Sequence, residues 1–275
     1  MARLTTDVDV PGARLFTVVD GDGPPIVLLH AGIADLRAWD ALVPHLVGAG
    51  YRAVRFDHRG IGRSKTESVD FSRRADVLAV MDALGIERAA LVGNSLGGMT
   101  ALDVAIESPR RVVALVLVAT GIGGFDGGAT PEEQAIEAEM EAAERDGDAD
   151  RLADLDVRLW VDGVGQPPTR VEPAIRDLVW RMDRPSCAPD HVHARPIPLL
   201  PSANERLADV AVPTLAVDGA LDTSGSHAAA ARVASTVPGA RLAVVPDVAH
   251  MVGMEAPGAL ASLVVEHLRP IRPWG

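Results

Sequence analysis

Cysteine is nearly absent from this sequence: Cys187 is the only one among 275 residues. A single cysteine excludes an intrachain disulfide and leaves no thiolate cluster for zinc, as expected of a protein in a reducing compartment. Apolar runs near the ~18 residues of a membrane helix are also missing, and residues 1–7 contain no apolar signal core. We therefore expect a cytoplasmic protein with no membrane partner.

Positive charge is also scarce. Lys and Arg total 26 against 38 Asp and Glu, a net charge of -12. A phosphate backbone is bound through basic grooves, so we expect no nucleic-acid partner. Aromatic residues make up only 3% and decide nothing about function, whereas a hydrophobic content of 48% is enough for a sizeable core. The length fits one large domain, or a core domain with a smaller inserted one.

Short apolar runs that alternate with helical patterns indicate the fold class. The runs are residues 26–29, 51–56, 89–92, 112–118, 212–217 and 242–245. Residues 36–48 and 77–84 show helical apolar spacing between them. Unalternating strands separated by helices predict an α/β protein with a mostly parallel sheet covered on both faces.

The alternation stops between residues 121 and 203, where no strand pattern is convincing. This stretch contains a glycine-rich linker, an acidic helical pattern over 131–145, further helical patterns over 149–161 and 171–182, and a proline-rich passage. We interpret residues 123–205 as a helical cap inserted into a core formed by residues 1–122 and 206–275. The acidic run is most simply a solvated helix face, although over a site entrance it would repel anionic substrates.

The run Leu91-Val92-Gly93-Asn94-Ser95-Leu96-Gly97-Gly98-Met99-Thr100 contains the pattern GxSxG between a strand and a helix. A sharp turn there would lift the Ser95 hydroxyl clear of both elements, and the small residues at 93 and 97 permit such a turn. The helix start points unpaired N–H groups at the serine, so the Leu96 N–H is placed to donate to an oxyanion. Ser95 is thus a candidate nucleophile.

A serine nucleophile needs a histidine base and a carboxylate that orients it. In parallel sheets such groups lie after the carboxyl ends of strands, which favours His250, in the loop after residues 242–245. His267 lies instead on a buried helical stripe, and His227 lies at the start of a helix. Two acids follow residues 212–217: Asp222 is far enough out to reach a neighbouring loop, whereas Asp218 at the strand end would cap the turn. We favour Asp222 and keep Asp218 as the alternative.

The order Ser, Asp, His with a GxSxG turn resembles the α/β-hydrolase fold family. The resemblance covers most of the core through these segments: His30-Ala31-Gly32, Asp57-His58-Arg59-Gly60-Ile61-Gly62-Arg63-Ser64, the turn at Ser95, Gly219-Ala220-Leu221-Asp222 and Val248-Ala249-His250. It implies that the Gly32 N–H is the second oxyanion donor, that His30 organises its loop, and that Asp57, Arg59 and Ser64 form turns. Ala31 stands where the family usually has glycine.

These residues predict a serine hydrolase that cleaves an ester or lactone of a small, largely neutral molecule through an acyl-enzyme, under a cap that excludes water. Around Ser95 the sequence also resembles hydrolases that cleave carbon–carbon bonds of meta-cleavage products, but Met251 replaces the tryptophan that usually follows their histidine. Two more functions stay open: cofactor-free perhydrolysis, and a ligand sensor with a retained triad. Candidate pocket residues are Asn94, Ile33, Trp160, Trp180 and Met251, although both tryptophans could equally fill a cap core.

We expect no metal and no cofactor. His191 and His193 lack a third ligand nearby, and Gly60-Ile61-Gly62 lacks the third glycine and the helix start of a dinucleotide site. Cys187 has only Arg184 as a basic neighbour and is expected to be inert. A small-molecule substrate is the expected partner, and self-association into a homo-oligomer stays open.

Overall fold

The structure, a computed structural model, describes residues 3–271. Its strands are β1 Arg3–Val10, β2 Ala13–Asp20, β3 Pro25–Leu29, β4 Arg52–Phe56, β5 Lys65–Thr66, β6 Asp70–Phe71, β7 Ala89–Asn94, β8 Val112–Val118, β9 Arg195–Pro196, β10 Thr214–Gly219 and β11 Arg241–Val245. Its α-helices are α1 Val43–Gly48, α2 Arg73–Ala83, α3 Leu96–Glu107, α4 Pro131–Asp146, α5 Ala149–Asp156, α6 Pro173–Asp183, α7 Ser224–Thr236, α8 Val252–Glu255 and α9 Pro257–Leu268. A π-helix spans Val157–Asp162, and 3-10 helices span Leu36–Trp39, Pro109–Arg111, Ala203–Asp209 and Arg269–Ile271.

The apolar runs form one sheet in the order β1-β2-β4-β3-β7-β8-β10-β11, with β5 paired to β2. The β1–β2 and β2–β4 pairs are antiparallel, and from β4 to β11 every pair is parallel. Leu91 of β7 packs into the apolar layer that contains α2, α3 and α7, and Val92 packs into the opposite layer with α1 and α9. The predicted α/β class with a covered, mostly parallel sheet is confirmed.

Two local predictions need correction. Residues 36–48 form a 3-10 helix followed by α1, rather than one helix, since Pro44 at the start of α1 has no N–H to continue an earlier helix. The stretch 121–203 contains one short strand, β9, whose Arg195 pairs with Asp70 of β6 in parallel register. Two-residue strands carry no periodicity that a sequence pattern can reveal.

Between β8 and β10, the segment from α4 to α6 packs over the carboxyl end of the sheet. A capping box starts α4, where Thr130 accepts from the Glu133 N–H and Glu133 accepts from the Thr130 N–H; Gly147, at φ +67°, ends it. One apolar cluster contains residues of both parts and joins Val161 and Val179 of this segment to Ala31 and Met251 of the core loops. We call it the mixed apolar cluster. Within residues 3–271, every helix is too short or too polar to span a bilayer.

Candidate active site

Ser95 lies at the sharp turn between β7 and α3. Its backbone adopts φ +54° and ψ -115°, a strained conformation for a residue with a side chain. A Cβ on Gly93 would lie 2.2 Å from the Gly97 carbonyl oxygen, and one on Gly97 would lie 2.1 Å from the Leu29 carbonyl oxygen. Both positions therefore require glycine, and the Ser95 N–H is anchored on the Val118 carbonyl at 2.9 Å.

The loops after β10 and β11 bring Asp222 and His250 together. The His250 Nδ1 lies 2.9 Å from each carboxylate oxygen of Asp222, whose side chain is fully buried. A carboxylate only accepts, so Nδ1 carries the proton and Nε2 has a free lone pair. The Leu221 N–H donates to the Val248 carbonyl at 2.9 Å, which fixes the two loops against each other.

The alternative acid binds a different histidine. Asp218, the fifth residue of β10, accepts from Nδ1 of His227 through Oδ2 at 2.5 Å. Burial raises the pKa of Asp218, and the hydrogen bond from His227 opposes that rise. His267 lies elsewhere, with Nε2 3.3 Å from the Pro213 carbonyl.

A cavity of about 230 Å³ opens beside Ser95 and His250. Loop residues 119–129, the start of α7 and α4 line it, and α4 contributes Glu133 and Glu137. Among its described lining residues there is no lysine or arginine. This cavity, which we call the acidic cavity, is suited to a substrate group without negative charge.

Glu133 corrects the interpretation of the acidic run as a solvated face. Its side chain is buried and accepts from the Ser224 N–H at 2.7 Å, besides capping α4. Burial opposes its ionisation, but hydrogen bonds from Ser224 and Thr130 outweigh burial and lower the pKa of Glu133. The sequence pattern Thr130-Pro131-Glu132-Glu133 was a capping-box signal that could have identified it.

Trp160 packs directly on His250. The two ring centroids are 4.5 Å apart at an interplanar angle of 47°, and the His250 N–H donates to the Trp160 carbonyl at 3.3 Å. Trp160 belongs to the π-helix, a rare geometry found often at functional sites. The indole also interacts with the Asp156 side chain behind it and partly opposes the rise in the pKa of that carboxyl.

Behind Trp160 lies a small cluster of Asp156, Asp183 and Cys187, whose donor atoms all fall within 4.8 Å of one another. Burial and the neighbouring Asp183 raise the pKa of Asp156 to about 8, and burial raises that of Asp183 to about 6. Burial also raises the pKa of the Cys187 thiol, which donates to Asp183 at 3.3 Å. Near neutral pH Asp156 therefore keeps its proton, whereas Asp183 is mostly ionised and accepts the hydrogen bond from Cys187.

Gly32 lies against the start of α3. A Cβ on Gly32 would meet the Leu96 side chain at 3.8 Å. Behind the loop, the His30 Nδ1–H donates to the Ala31 carbonyl at 2.8 Å, while Nε2 accepts from the His58 N–H at 2.9 Å. Burial lowers the pKa of His30 to about 4, so the ring is neutral and holds the loop through both nitrogens.

The loop after β4 is held by its own side chains. Asp57 accepts from the Leu36 N–H at 2.8 Å and the Arg63 N–H at 2.7 Å, and Ser64 donates to the Asp57 carbonyl at 2.7 Å. Arg59 binds both carboxylate oxygens of Asp76 at 2.6 and 2.7 Å. Asp57 and Ser64 thus hold the turn through backbone groups as expected, whereas Arg59 ties the loop to α2.

The five candidate pocket residues occupy different places. Trp160 lines the acidic cavity. The Asn94 amide is buried and donates to the Val118 and His250 carbonyls at 3.3 Å each, so it ties the turn to the histidine loop. Ile33, Trp180 and Met251 pack in the mixed apolar cluster, and their contact with substrate stays a prediction.

A covered parallel sheet, a serine on a strand–helix turn and a His–Asp pair on the following loops define an α/β hydrolase. The sequence model described as alpha/beta hydrolase fold matches residues 24–257, and the chain belongs to this family.

Two curated relatives show which enzymes the chain is similar to in sequence. Rhodomycin D methylesterase DauP of Streptomyces sp. (strain C5) is 27% identical over 89% of this chain and 91% of its own length. The 2-hydroxy-6-oxo-6-phenylhexa-2,4-dienoate hydrolase of Comamonas testosteroni is 41% identical, but over 37% of this chain and 38% of its own. Among solved structures, Est816, described as an N-acyl homoserine lactone degrading enzyme, is 27% identical with a TM-score of 0.74, covering 94% of this chain and 98% of that one.

Proposed function

We propose that the protein is a serine hydrolase that cleaves an ester or lactone of a small molecule. The observation that carries the proposal is the buried Asp222–His250 pair, whose histidine lines the same cavity as Ser95 on its strained turn. The methylesterase that aligns over most of its length and the lactone-degrading structural neighbour support the same chemistry.

In the proposed mechanism, His250 Nε2 takes the Ser95 proton as the hydroxyl attacks the carbonyl carbon, and later returns it to the leaving group. Asp222 holds the imidazole in the required tautomer. The oxyanion that develops is held by the N–H groups of Gly32 and Leu96, each worth about 3 to 4 kcal/mol of transition-state stabilisation. Water then releases the acyl group by the same steps.

The helical segment that includes α4, α5 and α6 acts in this proposal as the cap. It supplies Trp160, Glu133 and Glu137 to the acidic cavity, which keeps bulk water from the acyl-enzyme and favours a group without negative charge there. We propose the boundaries 123–205 for this cap.

Covalent labelling tests the proposal. A fluorophosphonate probe should label Ser95 in the wild type and not in Ser95→Ala, and short aryl acetates should be hydrolysed only by the former. Folded wild-type protein that neither reacts with the probe nor hydrolyses the esters would show the assignment to be wrong, and would favour the ligand-sensor alternative if a ligand still raised the melting temperature.

Carbon–carbon bond hydrolysis is the second candidate, favoured by the 41% identity to the dienoate hydrolase over 37% of this chain. It predicts that a coloured dienoate loses its absorbance with wild-type protein and keeps it with Ser95→Ala. Comparing kcat/KM for this dienoate with that for an aryl ester decides between the two reactions.

A further inference from the structure

Arg73, the first residue of α2, is a half-buried cation whose described side chain forms no hydrogen bond and no ion pair. Its neighbour Arg74 is paired with a carboxylate at 2.8 Å, and Arg59 occupies both oxygens of Asp76. The residues between 3 and 271 offer the Arg73 side chain no such bond, and its guanidinium carbon lies 5.8 Å from the centroid of the Phe71 ring.

Leaving a guanidinium partly buried and unpaired is unfavourable, because the water it loses is not replaced by protein acceptors. Burial lowers the pKa of Arg73, and the charges of Asp103 and Asp76 offset this only in part. Groups kept in such an environment within a cleft are concentrated at binding and catalytic sites.

Arg73 lines a second cavity, of about 210 Å³, whose wall also includes Gly32 and Leu96. We call it the basic cavity. Its one carboxylate among the described lining residues is Asp76, which Arg59 already holds. His58 in the same wall is neutral, because burial and the nearby charges lower its pKa well below the ordinary value. Arg73 is therefore the free charge of this cavity.

The basic and acidic cavities flank the turn at Ser95. Leu96, which follows the serine, lines the basic cavity, whereas Ser95 and His250 line the acidic one. A substrate with its carbonyl at Ser95 and its carbonyl oxygen at Gly32 and Leu96 would have one end in each cavity. At about 30 Å³ per water, the basic cavity has room for a short carbon chain with a terminal group.

We propose that Arg73 binds a carboxylate on the substrate, so that the enzyme acts on esters or lactones with a carboxylate at one end and a neutral or cationic group at the other. This inference rests on the proposed function and narrows it, since the sequence predicted a largely neutral substrate. The planar guanidinium matches a carboxylate through two parallel N–H···O bonds, and its lack of internal partners leaves those donors available.

Two pairs of isosteric esters test the proposal. The first pair is the p-nitrophenyl half-ester of glutarate and the p-nitrophenyl ester of glutaramate, which replaces the carboxylate by an amide. The second pair is phenyl acetate with either a 4-carboxylate or a 4-carboxamide, which places the charge on the leaving group. The ratio of kcat/KM, charged over neutral, should fall about 10- to 100-fold in Arg73→Gln for at least one pair.

Arg88→Gln is the matched control, because Arg88 is exposed before β7, at the opposite end of the strand from Ser95. It removes the same charge and should leave both ratios unchanged. Arg73→Lys should recover part of the lost ratio, since it keeps a cation but not the planar donor pair. Melting temperatures show whether each variant is folded.

Equal losses of kcat/KM on the charged and neutral esters of both pairs would overturn the proposal. They would show that Arg73 stabilises the fold or the electrostatic potential at the oxyanion instead of binding a carboxylate. Calorimetry with glutarate tests binding without turnover. Glutarate should bind to the Ser95→Ala variant and should not bind to the double variant Ser95→Ala, Arg73→Gln. If wild type hydrolyses the neutral esters but glutarate does not bind, the inference alone fails. If the neutral esters are inert and Ser95 is unlabelled, the proposed function fails.

Discussion

The Asp222→Asn substitution distinguishes the two acids that follow the apolar run 212–217. His250 Nδ1 lies 2.9 Å from both oxygens of Asp222, whose side chain has 0% exposure, so no water can replace the lost carboxylate. An asparagine amide in that place can donate to Nδ1, which favours the imidazole tautomer with its proton on Nε2. In that tautomer His250 cannot accept the Ser95 proton.

We expect kcat on p-nitrophenyl acetate to fall about 10³- to 10⁴-fold in Asp222→Asn. At about 1.36 kcal/mol per factor of ten, this is a loss of roughly 4 to 5.5 kcal/mol of transition-state stabilisation. The residual rate would come from the N–H groups that hold the oxyanion and from substrate binding. Circular dichroism and the melting temperature should stay close to the wild-type values.

Asp218→Asn is the matched control, because Asp218 also lies after the same apolar run and also binds a histidine. Its partner His227 has a side chain that is 42% exposed, so water replaces much of the lost contact, and kcat should stay within about threefold of the wild type. A loss in Asp218→Asn as large as that in Asp222→Asn would refute the assignment of separate roles to the two acids.

Substitutions at three residues probe the cap. Trp160→Phe keeps a ring against His250 and should lower kcat only a few-fold, whereas Trp160→Ala should lower it about 10- to 100-fold with little change in KM; equal effects would refute a positioning role. Glu137→Gln should raise kcat/KM about 2- to 5-fold for esters with an anionic group in the acidic cavity and leave neutral esters unchanged, an effect that added salt should erase. The raised pKa of Asp156, about 8 beside Asp183, favours the folded state below its unfolded pKa near 4, and that contribution is lost as pH rises through about 8. Asp156→Asn should therefore flatten the fall in melting temperature between about pH 4 and 8, and an unchanged curve would contradict the raised pKa of Asp156.

Much of the site could be predicted from local patterns. Apolar runs separated by helical stripes specify a covered parallel sheet, and GxSxG at one strand end specifies a strained turn that only glycine neighbours permit. Because loops after parallel strands converge at one edge, sequence order alone pointed to His250 and Asp222. The structure places the two in contact.

What the sequence by itself determined is thus the sheet, the turn at Ser95 and the loops that carry its candidate partners, since all three follow from short-range periodicity and strand-end geometry. The tertiary structure alone decided which side chains form the two cavities. The burial of Glu133, the stacking of Trp160 on His250 and the unpaired state of Arg73 depend on how the helical segment packs over the core loops. Contacts between residues distant in the chain leave no periodic signal, so charge at the two ends of the site is visible only in three dimensions.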